Sequence, residues 1–178
     1  APVIVVDYDS QTWQELATEL GQATGLESAV SSMLFDVELQ IAAAEAKLSL
    51  PAGTINVISY NGAGADNQIA RVGGPHAELL AGLGFTIEDP NVEWRNQASV
   101  RGDFVWAAFE RLTELTSETT FLLRLTDEQV GDFVAEPVLA NLPSVQAGQV
   151  YGLGANSFRI DYYSSLEIVE DLTVKFGN

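Results

Sequence analysis

The 178-residue chain sets 25 acidic residues against 8 basic ones, for a net charge of −17, and contains no cysteine. That balance repels nucleic acid and anionic lipid, and the lack of cysteine excludes disulfides, thiolate nucleophiles and cysteine-ligated zinc. With 47% hydrophobic and 19% charged residues the chain has the make-up of a globular domain, one able to bury roughly 70% of the surface its unfolded form exposes. No apolar run approaches the ~18 residues of a membrane span, and no charged start with an apolar stretch and cleavage site marks a secretion signal.

Residues 3–6, a β-branched run after Pro2, read as a buried strand. Asp9, Ser10 and Thr12 can cap a helix from about Trp13, bounded by Gly21 and Gly25. A long helix is predicted over 27–48, where Val30, Met33, Leu34, Val37, Ile41 and Ala44 share one face. Residues 54–60 form the clearest strand, followed by a turn-forming run over 61–67. Pro75 starts a helix through Leu83, Gly84 ends it, and 85–87 read as a strand. Residues 88–102 lack periodicity and read as an exposed loop. Strands over 104–106 and 119–123 flank a helix from about Phe109. Short helices near Asp127 and Pro137 precede a strand over 149–153, and a helix over 162–176 closes the chain. The alternation predicts an α/β, Rossmann-like three-layer fold with a mostly parallel sheet. Such sheets bind ligands beyond the carboxyl ends of their strands, here the loops 60–71 and 152–159.

Catalytic signatures are incomplete. Gly62-Ala63-Gly64 and Gly152-Leu153-Gly154 each lack the third glycine of a dinucleotide loop, and no nucleophile elbow or phosphate loop occurs. His76 is the only histidine and has no second histidine or cysteine to partner it, so a structural role competes with a small-enzyme reading. Glu88, Asp89 and Glu93 match no calcium loop and read as a solvated acidic segment. Six of the eight cations are arginines, and Arg71, Arg95 and Arg101 fall in one glycine- and asparagine-rich stretch. Arginine suits bidentate anion contacts and stacking on aromatic rings, although ordinary surface ion pairing is the competing reading of any one of them.

Three stretches carry a family resemblance. The opening through Val3-Ile4-Val5-Val6-Asp7-Tyr8, with Leu20-Gly21-Gln22-Ala23-Thr24-Gly25, resembles the segment of extracytoplasmic ferric-siderophore-binding proteins that leads into the helix joining their two lobes. Leu79-Leu80-Ala81-Gly82-Leu83-Gly84-Phe85-Thr86 matches their usual helix-to-strand junction. Most specific are Asn141-Leu142-Pro143-Ser144-Val145-Gln146-Ala147-Gly148-Gln149-Val150-Tyr151 and Ser157-Phe158-Arg159-Ile160-Asp161-Tyr162-Tyr163-Ser164, similar to the end of carriers of the ferric-enterobactin type.

The resemblance implies a ligand carrier of an ABC importer and no enzyme. Residues 1–26 would be a remnant of the first lobe, 27–50 the interlobe helix and 51–178 the C-terminal ligand-binding lobe. Residues 3–6, deprived of first-lobe partners, would be disordered, re-paired, or engaged in strand-mediated self-association. The cargo would be an anionic iron(III)-siderophore complex, catecholate in the leading reading, with a hydroxamate siderophore, haem or a corrinoid as alternatives; no cofactor is implied. Arg159 matches the arginine of the Phe-Arg-x-Asp-Tyr-Tyr motif, Arg101 falls on a basic position ahead of a strand, and Arg71, Trp94, Arg95 and Tyr60 follow from loop position. Glu110 resembles the acidic residue that docks onto the permease. The location implied is the periplasm, or a lipid anchor at the outer face of the cytoplasmic membrane.

Overall fold

The computed structural model describes residues 3–6 and 11–178. Alternate side chains of a strand point to opposite faces, and in β1 (Ile55–Ser59) every residue is buried, so both faces of the sheet are covered. The partner strands are β2 (Asp66–Ala70), β3 (Phe104–Ala108), β4 (Thr119–Leu122) and β5 (Val150–Gly152), in the order β3-β2-β1-β4-β5. β1 runs parallel to β4, and β4 to β5, whereas β2 is antiparallel to both β1 and β3. Only β2 is therefore reversed, which makes the sheet mostly parallel.

One face carries Ile55, Val57 and Phe121 against α3 (Pro75–Gly82) and α6 (Tyr162–Phe176), through Leu79, Leu80, Leu83, Ile168, Val169 and Leu172. The other carries Ile58, Ile69, Val105 and Leu122 against a layer of short helices. That layer comprises a 3-10 helix (Phe109–Glu114), α4 (Gly131–Val134), a 3-10 turn (Pro137–Leu139) and α5 (Pro143–Gln146). Three layers result, as the helix and strand alternation predicts.

Ahead of this unit lie α1 (Trp13–Thr24) and α2 (Glu27–Glu45). Thr12 and Glu15 form a reciprocal capping box at the start of α1, and Gly25, at φ 72°, ends it in the left-handed conformation that glycine adopts cheaply. Asp9 and Ser10, also read as capping residues, lie outside the described residues. The 19-residue α2 leans on α6, where the Tyr162 hydroxyl donates to Asp36 at 3.0 Å.

Several expectations need correction. Residues 3–6 form no strand, and Val3 and Val5 are each 84% exposed. The outer edge of β3 is already engaged, because Asn96 N–H donates to the Trp106 carbonyl at 2.7 Å and Trp106 N–H to the Gln97 side chain at 2.9 Å. The turn predicted over 61–67 is shorter than expected, since β2 begins at Asp66. Its polar residue Asn67 is buried at no loss because its amide accepts from Asn61 N–H and donates to the Ala65 carbonyl. The strand over 85–87 reduces to a single bridge from Ile87 to Ile55, and the long helix stops at Glu45.

Candidate functional site

The parallel strands β1, β4 and β5 end at the same edge of the sheet, and at this edge the chain adopts an unusual backbone. Arg124, just past β4, has φ 64°, the only described non-glycine residue with positive φ, a conformation that costs of order 1–3 kcal/mol. The surroundings enforce it. Arg124 N–H donates to Ser157 Oγ at 3.0 Å, and Gly154 N–H donates to the Leu125 carbonyl at 2.9 Å. Below the turn, Gly152 lies so close that a Cβ there would collide with the Leu125 carbonyl and the Thr126 backbone.

The Arg124 guanidinium is exposed yet oriented. It donates to the Ser59 hydroxyl and to Asn61 Oδ1, the latter at 3.0 Å, and its Cζ stands 4.7 Å from the centre of the Phe158 ring. All three partners are neutral, so the positive charge is held in place without being cancelled. A guanidinium over an aromatic face at the carboxyl edge of the sheet is suited to an anionic ligand with flat aromatic parts. Sequence reasoning missed this residue. The available signal was an arginine directly after the buried run Thr119 to Leu123 at a carboxyl strand end.

Arg159 follows in the segment leading from β5 to α6. Its backbone is fixed by the α6 cap, where Asp161 and Ser164 form a capping box and Ser164 Oγ donates to the Arg159 carbonyl at 2.7 Å. Its side chain is exposed, and the guanidinium makes no hydrogen bond or ion pair among the described residues. Tyr163 is 75% exposed and meets Tyr162 edge-on at 5.0 Å.

The remaining sequence-predicted residues lie in different settings. Tyr60, at the end of β1, packs edge-on against Phe133 at 5.1 Å, and burial, reinforced by Glu136 and Asp132, raises its pKa. Trp94 and Arg95 lie beside β3, where Trp94 packs on the second core face. Arg95 donates to the Val92 carbonyl and to Glu93 at 3.0 and 3.1 Å. Arg71 follows β2 and Arg101 precedes β3, so both sit at the end of the sheet opposite the carboxyl ends of β1, β4 and β5. Arg71 donates to the Arg101 carbonyl at 2.7 Å and faces Asp89 at 3.7 Å, while Arg101 grips both oxygens of Asp103 at 2.9 and 3.1 Å. Burial pushes Asp103 up, but the Arg101 guanidinium and the Phe104 N–H outweigh it and hold the carboxyl below its usual value. The structure thus brings Arg124, Phe158 and Tyr60 to the carboxyl edge, with Arg159 on the segment beyond, and leaves Arg71 and Arg101 apart from them. Glu110 is exposed in the first turn of its 3-10 helix. Among the described residues no group of acidic or histidine side chains is arranged to hold a metal ion.

No family model matches the chain. It is 31% identical over 179 aligned positions to the ferric enterobactin-binding periplasmic protein FepB of Escherichia coli O6:H1 strain CFT073, covering 99% of this chain and 56% of that protein. It is 44% identical to holo-ViuP in its crystal structure, with a TM-score of 0.94 over 100% of this chain and 60% of that one. A FhuD fold-family periplasmic binding protein component of a Fep/Fec-like ferrichrome ABC transporter from Bacillus subtilis shares the fold, at 22% identity and a TM-score of 0.73, over 99% of this chain and 65% of that one. The chain spans a little over half the length of FepB and ViuP. Along its whole length it is similar in sequence and fold to one part of the periplasmic ferric-siderophore-binding proteins, which are binding proteins and not enzymes.

Proposed function

We propose that this chain is the C-terminal ligand-binding lobe, residues 51–178, with its connecting helix, residues 27–50, and a remnant of the first lobe, residues 1–26, of a substrate-binding component of an ABC importer. Its cargo is an iron(III)-siderophore complex of the catecholate class, held in a cleft between lobes in the periplasm or at the outer face of the cytoplasmic membrane. The observation that carries this reading is the Arg124 guanidinium, held over Phe158 by neutral partners in a protein with a net charge of −17. A ferric tris-catecholate is an anion clad in aromatic rings, the partner such a surface matches by charge and by π contact. Support also comes from the likeness to FepB, whose name records ferric enterobactin.

Arg159 supplies a second cation for the ligand. Tyr60 borders the cleft, Arg71 and Arg101 act as supports of the lobe's far end, and Trp94 and Arg95 flank the carboxyl end of β3, where Arg95 pairs with Ala107. Glu110 docks onto the permease from its exposed helix start. The test is titration of the full-length protein by tryptophan fluorescence quenching, with a ferric tris-catecholate and with a ferric hydroxamate. Tighter binding of the catecholate is expected; equal or weaker binding than the hydroxamate sinks the catecholate assignment, and binding of neither sinks the carrier reading. Glu110→Ala should slow uptake in cells while leaving the titration unchanged, and parental uptake would remove the docking role.

A further inference from the structure

His76 is 2% exposed, the second residue of α3, and its ring lies 5.2 Å from that of Phe104. A buried imidazole is costly unless its polar atoms are used. Here one is used and one is not. Nε2 lies 2.8 Å from the Ser157 carbonyl, so this nitrogen carries the proton, while Nδ1 is buried and makes no hydrogen bond. An apolar side chain would fill the same space without a bare nitrogen. What the imidazole adds is one directed bond to the segment after β5.

That segment holds Arg124. Ser157 receives His76 on its carbonyl and the Arg124 N–H on its hydroxyl, and its own hydroxyl donates to the Gly154 carbonyl at 2.8 Å. The next residue, Phe158, stacks on Phe104 at 6.0 Å and 12° and presents its ring to the Arg124 guanidinium. Two consecutive residues therefore join α3 and β3 on one side to the strained arginine on the other. We propose that His76 is a positioning residue for binding, fixing the Arg124 and Phe158 platform through the Ser157 carbonyl; this rests on the platform being the ligand face.

The Nε2 bond makes a distinction between two neutral amides. In the full-length protein, His76→Gln places its amide nitrogen near the Nε2 position, while the shorter His76→Asn reaches only the Nδ1 position. With a ferric tris-catecholate as probe, the glutamine variant should bind within about twofold of the parent and the asparagine variant at least about fivefold more weakly, the scale of one lost hydrogen bond. Equal affinities of the two variants, whether both parental or both weak, overturn the proposal. A second measurement needs no substitution. On addition of the diamagnetic gallium(III) tris-catecholate, the His76 ring nitrogen resonances should shift as the platform takes up load, and unmoved resonances in a saturated sample also overturn it. Arg124→Ala separates the two levels of the argument: parental binding by that variant shows that the platform reading has failed.

Discussion

Two groups of arginines stand at opposite ends of one sheet and have opposite fates. Where β2 ends and β3 begins, Arg71 and Arg101 are tied to Asp89 and Asp103, and their charge is spent within the lobe. Beyond β4 and β5, Arg124 has only a hydroxyl, an amide oxygen and an aromatic face as partners, and Arg159 has no carboxylate partner among the described residues. Residue type is the same in both groups. What differs is whether a carboxylate has already claimed the guanidinium, and the proposed ligand face rests on the unclaimed pair.

Charge reversal breaks the comparison most sharply. Arg124→Glu in the full-length protein should weaken binding of a ferric tris-catecholate by at least about a hundredfold, since it adds like-charge repulsion to the loss of a charged contact. Arg159→Ala follows, with a loss of at least about tenfold in the same titration. Parental affinity in either variant would remove that residue from the site.

How much of this could be read from the sequence differs between neighbouring segments. β1 was legible because Ile55, Val57 and Ile58 are apolar, β-branched and bounded by turn residues. β2 was not, because Asn67 and Gln68 look like turn residues until their hydrogen-bond partners are known. Residues 3–6 have the composition of a strand, yet composition does not supply a free edge to pair with. Arg159 was singled out through its motif, and the structure leaves its side chain exposed on the segment before α6. Arg124, in Leu123-Arg124-Leu125, was not, since nothing local announces a left-handed backbone; contacts from Ser157 and the approach of Gly152, about 30 residues away in sequence, impose it.

The stability of the lobe should carry a smaller, pH-linked signature. Burial lowers the His76 pKa from 6.5, against the pull of the Ser157 carbonyl and of Asp103, the acidic group that faces it. The unfolded chain therefore takes up a proton first, and stability is lost as pH falls through 6.5 toward the folded value, by at most about 1.4 kcal/mol per pH unit. Thermal melts of parent and His76→Gln between about pH 7.5 and pH 5 should diverge in this direction. Parallel curves would show that His76 is charged or exposed in the folded protein.

The smallest effect sharpens the comparison from the other side. Arg101→Ala should leave catecholate affinity within about twofold of the parent, because its guanidinium belongs to Asp103, and should lower stability by only about 0.2–1 kcal/mol, the usual worth of an exposed pair. A tenfold loss of affinity would move the ligand face to the other end of the sheet.

The close approach of Gly152 beneath the turn bears on how fast a ligand can be captured. Leu125 and Thr126 pack so closely on Gly152 that no side chain fits between them, and on the proposed reading the arginine above them is aimed before any ligand arrives. Encounter then requires no loop to be ordered first, and the entropy lost on complex formation falls on the ligand and solvent more than on the protein. In stopped-flow mixing the observed rate constant should rise linearly with ligand concentration, without the plateau that a preceding isomerisation would impose, and the rate should fall with added salt as the arginine's field is screened.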